Sequence, residues 1–134
     1  MAHQFAPNLV AVNTILPYRC VAPTGSGDNA CGAAGAINIS MGVTSGDTKA
    51  HDSANHAEEG DQVSLQPGNV LQVECGGTVT RGTGLMTMAG GKVQNATPTG
   101  ASNIYHVGIA LETGTDGTIV RMLWQPQTIR PALS

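Results

Sequence analysis

The segment Val73–Gln125 most constrains the fold of this chain, because it reads as short β-strands separated by turns that contain glycine. Apolar residues alternate with polar or small ones along Ile104–Leu111 and again along Thr118–Trp124. A period of two is typical of a strand with one buried face. The C-terminal half therefore predicts a β-unit built from hairpins.

One face of Ile104–Leu111 is predicted to be buried, and it carries Tyr105, Val107, Ile109 and Leu111. His106 falls on the opposite face, where a hydrogen-bonded or solvent-facing histidine is the default interpretation. Pro126 is predicted to end the last strand, and Pro131 to keep the tail after it extended.

Three dipeptides mark the predicted turns. Pro67-Gly68 suits a type II turn, with glycine supplying the positive φ, and it predicts a hairpin between Gln62–Leu65 and Asn69–Glu74. Gly90-Gly91 and Asp116-Gly117 are signals for two further hairpins.

About eight short strands without a long helix favour a mainly β fold, namely a small antiparallel barrel or sandwich with long loops. Residues 1–20 are predicted to be an N-terminal arm or a first strand, and residues 21–134 a single β domain. That domain divides into variable loops at 21–36 and 44–61, a strand at 37–43 between them, a compact core at 62–126 and an extended tail at 127–134.

Charged residues make up 11% of the chain, against roughly 25% in an ordinary soluble domain. A weakly charged surface is easily buried against another protein, because few charges must lose their water. The six Lys and Arg residues form no basic stripe, so nucleic-acid binding is not expected. No apolar run is long enough to cross a bilayer, and no signal-peptide pattern opens the sequence.

The chain has three cysteines, Cys20, Cys31 and Cys75, without the spacing of a zinc site. Buried reduced thiols are the favoured interpretation, with a Cys20–Cys31 bridge as the alternative in an oxidising setting.

Chemistry has few candidates in this sequence. A Cys75–His106 nucleophile pair is conceivable, but no third residue that would orient it can be named. A polar loop holds His51, Asp52, His56, Glu58 and Glu59, which we interpret as solvated surface groups, and Asp61 completes its run of acids. We therefore expect no enzyme activity, no cofactor and no metal.

The runs GGTVTRGTGLMTMAGGKVQNATPTG and HVGIALETGTDGTIVRMLWQP resemble the capsid cement, or head decoration, proteins of tailed bacteriophages. The matching patterns fall on Gly76–Leu85, Gly91–Val93, Val107–Glu112 and Asp116–Pro126. The resemblance covers roughly the C-terminal half and consists of turn and strand patterns.

This resemblance implies a β-rich, tulip-like structural protein on the outer surface of the expanded phage head, made in the host cytoplasm. Its partners would be the major capsid protein and two further copies of itself, since family members commonly form trimers at threefold or quasi-threefold positions. The arm, at Ala2–Val12, would thread along the capsid. We name Phe5, Leu9, Val10, Val12 and Trp124 as candidate partner-binding residues, with core packing favoured for Trp124.

Two other hypotheses remain open. The first is a ligand- or receptor-binding β-module on the virion surface, which binding of a glycan or ion by the 44–61 loop would favour. The second is an enzyme on a small barrel, which requires a reactive Cys75 or His106.

Overall fold

The computed structural model describes residues 9–24, 30–35, 40–49, 58–96 and 104–129. Within these ranges the chain is mainly β and forms two five-stranded sheets that pack together. No helix among the described residues is long and apolar enough to cross a membrane. The predicted fold class, a small β barrel or sandwich, is confirmed.

The first sheet curls into a small barrel. It contains β1 (Val10–Ala11), β2 (Cys20–Pro23), β3 (Ala30–Ala33), β4 (Gly42–Lys49) and β5 (Val63–Leu65) in the order β1-β3-β2-β4-β5. An isolated bridge between Val10 and Gln62 connects the first strand to the start of the last. Val63 N–H donates to Leu9 O at 2.8 Å beside it, so the two edges of the sheet meet.

The second sheet is antiparallel throughout. It contains β6 (Val70–Glu74), β7 (Gly84–Thr87), β8 (Val93–Asn95), β9 (Ile104–Ala110) and β10 (Ile119–Ile129) in the order β6-β10-β9-β7-β8. Its outer strands also approach each other at one end, where Cys75 bridges Val93.

The apolar core has two parts, and β2 contributes to both. Val21 faces the inside of the barrel, while Cys20 and Ala22 face the second sheet. The barrel interior holds Leu9, Ala11, Ile15, Val21, Cys31 and Val63. The larger part lies mainly under the second sheet and includes Leu71, Val73, Leu85, Val107, Val120 and Met122. Because β2 is buried on both sides, it joins the two units.

The predicted loops at 21–36 and 44–61 are wrong where the structure describes them. The first contains the antiparallel pair β2 and β3, and the second contains most of β4. Small residues at Ala22, Cys31 and Gly32 conceal the β2–β3 pair, because strands buried on both faces show no alternation. Residues 25–29, 36–39 and 50–57 lie outside the described ranges, so only the end of the strand predicted at 37–43 is seen, at the start of β4.

The hairpin predicted at Pro67-Gly68 is also wrong. The turn is present, with Gly68 at a φ of 88°. However, β5 pairs with β4 while β6 pairs with β10, so this turn carries the chain from one sheet to the other. The Gln66 side chain fixes the crossing, since its Nε2 donates to Thr44 O at 3.0 Å and its Oε1 accepts from Gln72 N–H at 2.8 Å.

Pro126 does not end the last strand. The strand β10 continues to Ile129 and pairs with β9, with a β-bulge between Trp124 and Gln127. A bulge tolerates proline because the extra residue is not required in the ladder. The start of the predicted tail at 127–134 is therefore strand, and residues 130–134 lie outside the described ranges.

The predicted buried face of β9 is wrong because register shifts interrupt the pairing of β9 with both of its neighbours. Val107 is fully buried, but Ala110 and His106 are buried as well, while Tyr105 and Ile109 are half-buried. The register of β7 against β9 also shifts at this point. These bulges break the period of two on which the prediction rested.

The turns at Gly90-Gly91 and Asp116-Gly117 are confirmed. Gly90 and Gly91 both have positive φ and connect β7 to β8. Gly117 has a φ of 88° and lies between β9 and β10.

Candidate functional site

The outer face of the second sheet, away from the core, carries an apolar row. Val70, Leu123 and Ile109 stand opposite one another on β6, β10 and β9. The next row inwards along the strands, Leu71, Met122 and Ala110, is buried, so the first row points away from the core. Val70 is 52% exposed, and Ile119 further along β10 is 42% exposed. We call these four residues, Val70, Ile109, Ile119 and Leu123, the outer apolar patch.

An ion pair lies within this patch and separates Ile119 from its other three residues. Arg121 stands between Ile119 and Leu123, and its Nε donates to Glu112 Oε1 at 3.2 Å. The Arg121 backbone N–H donates to the same oxygen at 2.8 Å. These bonds, first from the backbone N–H and then from the guanidinium, lower the pKa of the Glu112 carboxyl. The charges are therefore paired within the chain, which reduces the need for a charged partner surface.

A charge cluster lies where the barrel meets the second sheet. Glu74 Oε2 accepts from Arg19 at 3.3 Å and lies 3.4 Å from Lys92 Nζ. Lys92 also lies 3.5 Å from Asp116. Glu74 keeps only 21% of its side chain exposed and links the two sheets through Arg19, whereas Asp116 at the other end of the cluster is 73% exposed.

The predicted partner-binding residues are placed differently from one another. Leu9 is only 4% exposed inside the barrel, so the chain's own core covers it. Val10 is 37% exposed and Val12 is half-buried. Trp124 is half-buried and packs against the larger core, and Phe5 lies outside the described residues.

The N-terminal segment was predicted to be an arm or a first strand. From Leu9 onwards it forms part of the barrel, because Val10 and Ala11 pair with Ala30 and Cys31. An arm at Ala2–Val12 is therefore wrong over its last four residues, and residues 1–8 lie outside the described ranges.

The structure does not bring Cys75 and His106 together. Cys75 N–H donates to Thr118 O at one end of β10, whereas His106 pairs with Gln127 towards the other end. At about 3.3 Å per residue this is a separation of roughly 25–30 Å along the strand. His106 Nδ1 instead donates to Gln125 O at 3.3 Å, and Gly84 leaves space for its ring.

The three thiols are free and buried. Burial raises the pKa of Cys20 to about 12, with a smaller opposing effect from a hydrogen bond to Ser40. Burial also raises the pKa of Cys31, and of Cys75 with additional repulsion from Glu74 and Asp116. A thiol held in its neutral form is a poor nucleophile and a poor metal ligand.

The acidic loop is described only at its end. Glu58 and Glu59 are exposed, and Asp61 accepts from the Glu58 backbone N–H at 2.8 Å. The residues His51, Asp52 and His56 lie outside the described ranges. Among the residues that the structure describes, no group of His, Cys, Asp and Glu side chains is arranged to hold a metal ion.

The outer apolar patch was not predicted from the sequence. In Asn69–Glu74 the alternation buries Leu71 and Val73, which leaves Val70 as an apolar residue on the polar phase. The same is true of Ile119 and Leu123 around buried Val120 and Met122. The sequence does contain a signal for the patch, because both the inward-facing and the outward-facing positions of β6 and β10 include apolar residues.

No protein-family model matches the sequence, and no curated protein matches it. Among solved structures, the chain is similar to the crystal structure of the head fiber gp8.5 N base in bacteriophage phi29. The two share 22% sequence identity with a TM-score of 0.63, and the similarity covers 87% of this chain and 90% of the other. At this level of identity the similarity shows a shared fold.

Proposed function

We propose that this chain is a structural protein of a tailed-phage virion that attaches to the head. The observation that carries the proposal is the shared fold with a phage head fiber base, which spans 87% of this chain and 90% of that one. A match over nearly all of both chains means that the whole domain, rather than one common motif, is held in common. The independent sequence resemblance to capsid cement proteins points in the same direction.

In the more specific form of the proposal, the chain binds the outer surface of the expanded head as a trimer. It occupies threefold and quasi-threefold positions and stabilises contacts between major capsid proteins. Many modest contacts on a symmetric lattice give firm attachment, because each further contact is made at high effective concentration. The low charge of the chain supports flat packing on another protein.

The outer apolar patch is the capsid-binding surface in this proposal. Val70 and Ile119 are large apolar side chains that remain exposed, and the neighbouring Arg121 is paired with Glu112. Burial of such a surface gains the hydrophobic free energy without leaving an unpaired charge. The chain carries out no catalysis in this proposal, in keeping with its protonated thiols and the distance between Cys75 and His106.

The test is co-sedimentation of the purified chain with expanded and unexpanded heads of the phage that encodes it. We expect saturable binding to expanded heads, and Val70→Glu and Ile119→Glu to weaken it by about tenfold or more, the loss of one central contact. Leu16→Glu is the matched control, because Leu16 is also 42% exposed but lies outside the patch.

Three outcomes separate the parts of this proposal. Absence of binding to expanded heads contradicts head attachment itself. If all three variants still bind, the capsid-binding surface is not the outer apolar patch. Equal binding to unexpanded heads contradicts the preference for the mature lattice.

A further inference from the structure

The strands β9 and β10 form a two-stranded ribbon that extends beyond their neighbours. Pairing of β10 with β6 ends at Leu123, and pairing of β9 with β7 ends at His106. Beyond these points β9 and β10 continue to pair with each other, from His106 with Gln127 to Ile104 with Ile129. We call Ile104–His106 with Gln127–Ile129 the terminal ribbon.

The base of the terminal ribbon is held in place by a specific interaction. The bulge in β10 places Gln125 and Pro126 where β9 has Val107 alone. His106 Nδ1 donates to the Gln125 carbonyl at 3.3 Å, so the carbonyl displaced by the bulge keeps a buried partner. A bulge of this kind increases the local twist and bends the strand that carries it.

Neither outer edge of the terminal ribbon has a strand partner within the part of the chain that the structure describes. Among the described residues, no strand pairs with the far side of Ile104–Tyr105 or of Gln127–Ile129. Sheet edges of soluble proteins are usually protected by charged side chains, by proline or by bulges, and here the bulge with Pro126 lies at the base of the ribbon, before its unpaired residues. The sequence places no Lys, Arg, Asp or Glu in Ile104–His106 or in Gln125–Ile129.

We propose that the terminal ribbons of three copies pair edge to edge and that this pairing forms the trimer. The β10 edge of one copy pairs with the β9 edge of the next. This inference rests on the trimer of the proposed function and assigns the residues that would make it.

The direction of the strands favours this arrangement. Rotation about an axis parallel to the ribbon preserves strand direction, so β10 of one copy runs antiparallel to β9 of the next. Because the two edges of a ribbon differ, the contact is head-to-tail, and a threefold rotation closes it into a ring. Three ribbons make a closed ring of six antiparallel strands, in which every open edge acquires a partner.

The experiment combines light scattering after size exclusion with amide hydrogen exchange on the full chain. We expect a trimer that dissociates on dilution, because each contact has only a few backbone hydrogen bonds. The amides of Gln127–Ile129 that point away from β9 should exchange at least about tenfold more slowly in the trimer than in the diluted monomer.

Gln127→Asp and Thr128→Asp are the variants, because successive residues in a strand point to opposite faces. One of the two therefore places three carboxylates together inside the ring, and that variant should be monomeric where the wild type is trimeric. Gln72→Asp, on the exposed side of β6, is the control and should remain a trimer. Unchanged circular dichroism and unfolding midpoints would exclude a folding defect.

The proposal is overturned if both variants remain trimeric, if exchange at Gln127–Ile129 does not depend on concentration, or if the wild type stays monomeric at high concentration. A wild type that is monomeric but still sediments with expanded heads would contradict the ribbon contact and support head attachment. A trimer that does not bind heads would support the ribbon contact and contradict head attachment.

Discussion

Arg19 and Glu74 form an ion pair, with Arg19 Nη2 3.3 Å from Glu74 Oε2, that joins the barrel to the second sheet. The Glu74 backbone N–H donates to Tyr18 O at 2.9 Å beside it, and Arg19 Nη1 donates to Gly90 O at 3.1 Å. Arg19 keeps only 12% of its side chain exposed. The pair therefore holds together two units that come from distant parts of the sequence.

Glu74→Gln should destabilise the chain by about 1–2 kcal/mol, as expected when a charge-assisted hydrogen bond of limited exposure is lost. The substitution keeps the shape of the side chain but leaves Arg19 and Lys92 without their shared carboxylate. Urea unfolding measures the change as a lower midpoint at constant slope.

Glu112→Gln is the control for that measurement, because it removes the more exposed pair with Arg121. We expect a smaller shift in the unfolding midpoint, since solvent screens exposed charges. An equal shift in both variants would show that the location of Glu74 between the sheets adds nothing to its contribution to stability.

Glu112 should titrate below the usual range of a glutamate. Hydrogen bonds from the Arg121 backbone N–H and guanidinium lower its pKa in the folded state. Its contribution to stability is therefore present above the pKa of the unfolded chain and is lost as the pH falls through the lower folded value. An NMR titration of the side-chain carboxyl measures the midpoint directly. Arg121→Gln keeps the backbone donor, so it should raise the midpoint only part of the way, and an ordinary midpoint in the wild type would contradict the prediction.

The three cysteines should resist alkylation at pH 8 in the folded chain and react after unfolding. Burial raises the pKa of all three thiols, that of Cys20 to about 12, so little thiolate forms. The contribution to stability is full below the pKa of the unfolded thiol and declines as the pH rises from there towards the folded value. Mass spectrometry after iodoacetamide labelling gives the rate at each site. Rapid labelling of Cys75 in the folded chain would contradict this prediction and favour the enzyme hypothesis.

Turn chemistry predicted the β7–β8 and β9–β10 turns of the second sheet, whereas the pairing of β6 with β10 and the buried face of β9 were not predicted. Gly90, Gly91 and Gly117 adopt the positive φ that their positions in the sequence indicated. The strands around them pair as neighbours or next neighbours, so local signals were enough.

The barrel could not be predicted in the same way. Apart from β4 its strands are short, and β2, with Cys20, Val21 and Ala22, is buried on both faces. Its closure depends on the contact of Val10 with Gln62, which are far apart in the sequence. Nothing in the local pattern at either residue encodes that pairing.

The candidate site also could not be predicted from the local sequence. The outer apolar patch exists because β6, β10 and β9 lie side by side in one register, with Leu123 between Val70 and Ile109. Within each strand alone, these residues are only apolar exceptions at positions where the alternation predicts polar ones. The burial of His106, which lies beside register shifts in both pairings of β9, likewise depends on how β9 pairs with β7 and β10.

Gly91→Ala should be among the most damaging single-methyl changes in the chain. Gly91 has a φ of 81°, and a Cβ added there would lie 2.5 Å from Cys20 O, so both the backbone and the neighbouring strand would have to move. We expect a loss of roughly 2–4 kcal/mol, from the combined cost of strain and overpacking. Thermal and urea unfolding measure it.

Gly117→Ala is the matched control, because Gly117 has a φ of 88° with no atom within 4 Å of the added Cβ. It bears the cost of the left-handed backbone alone, about 1 kcal/mol. The difference between the two variants therefore isolates the contact between the β7–β8 turn and β2, by which the barrel and the second sheet pack closely. Equal losses would mean that this contact relaxes freely and that the two units are held together elsewhere, above all by Arg19 and Glu74.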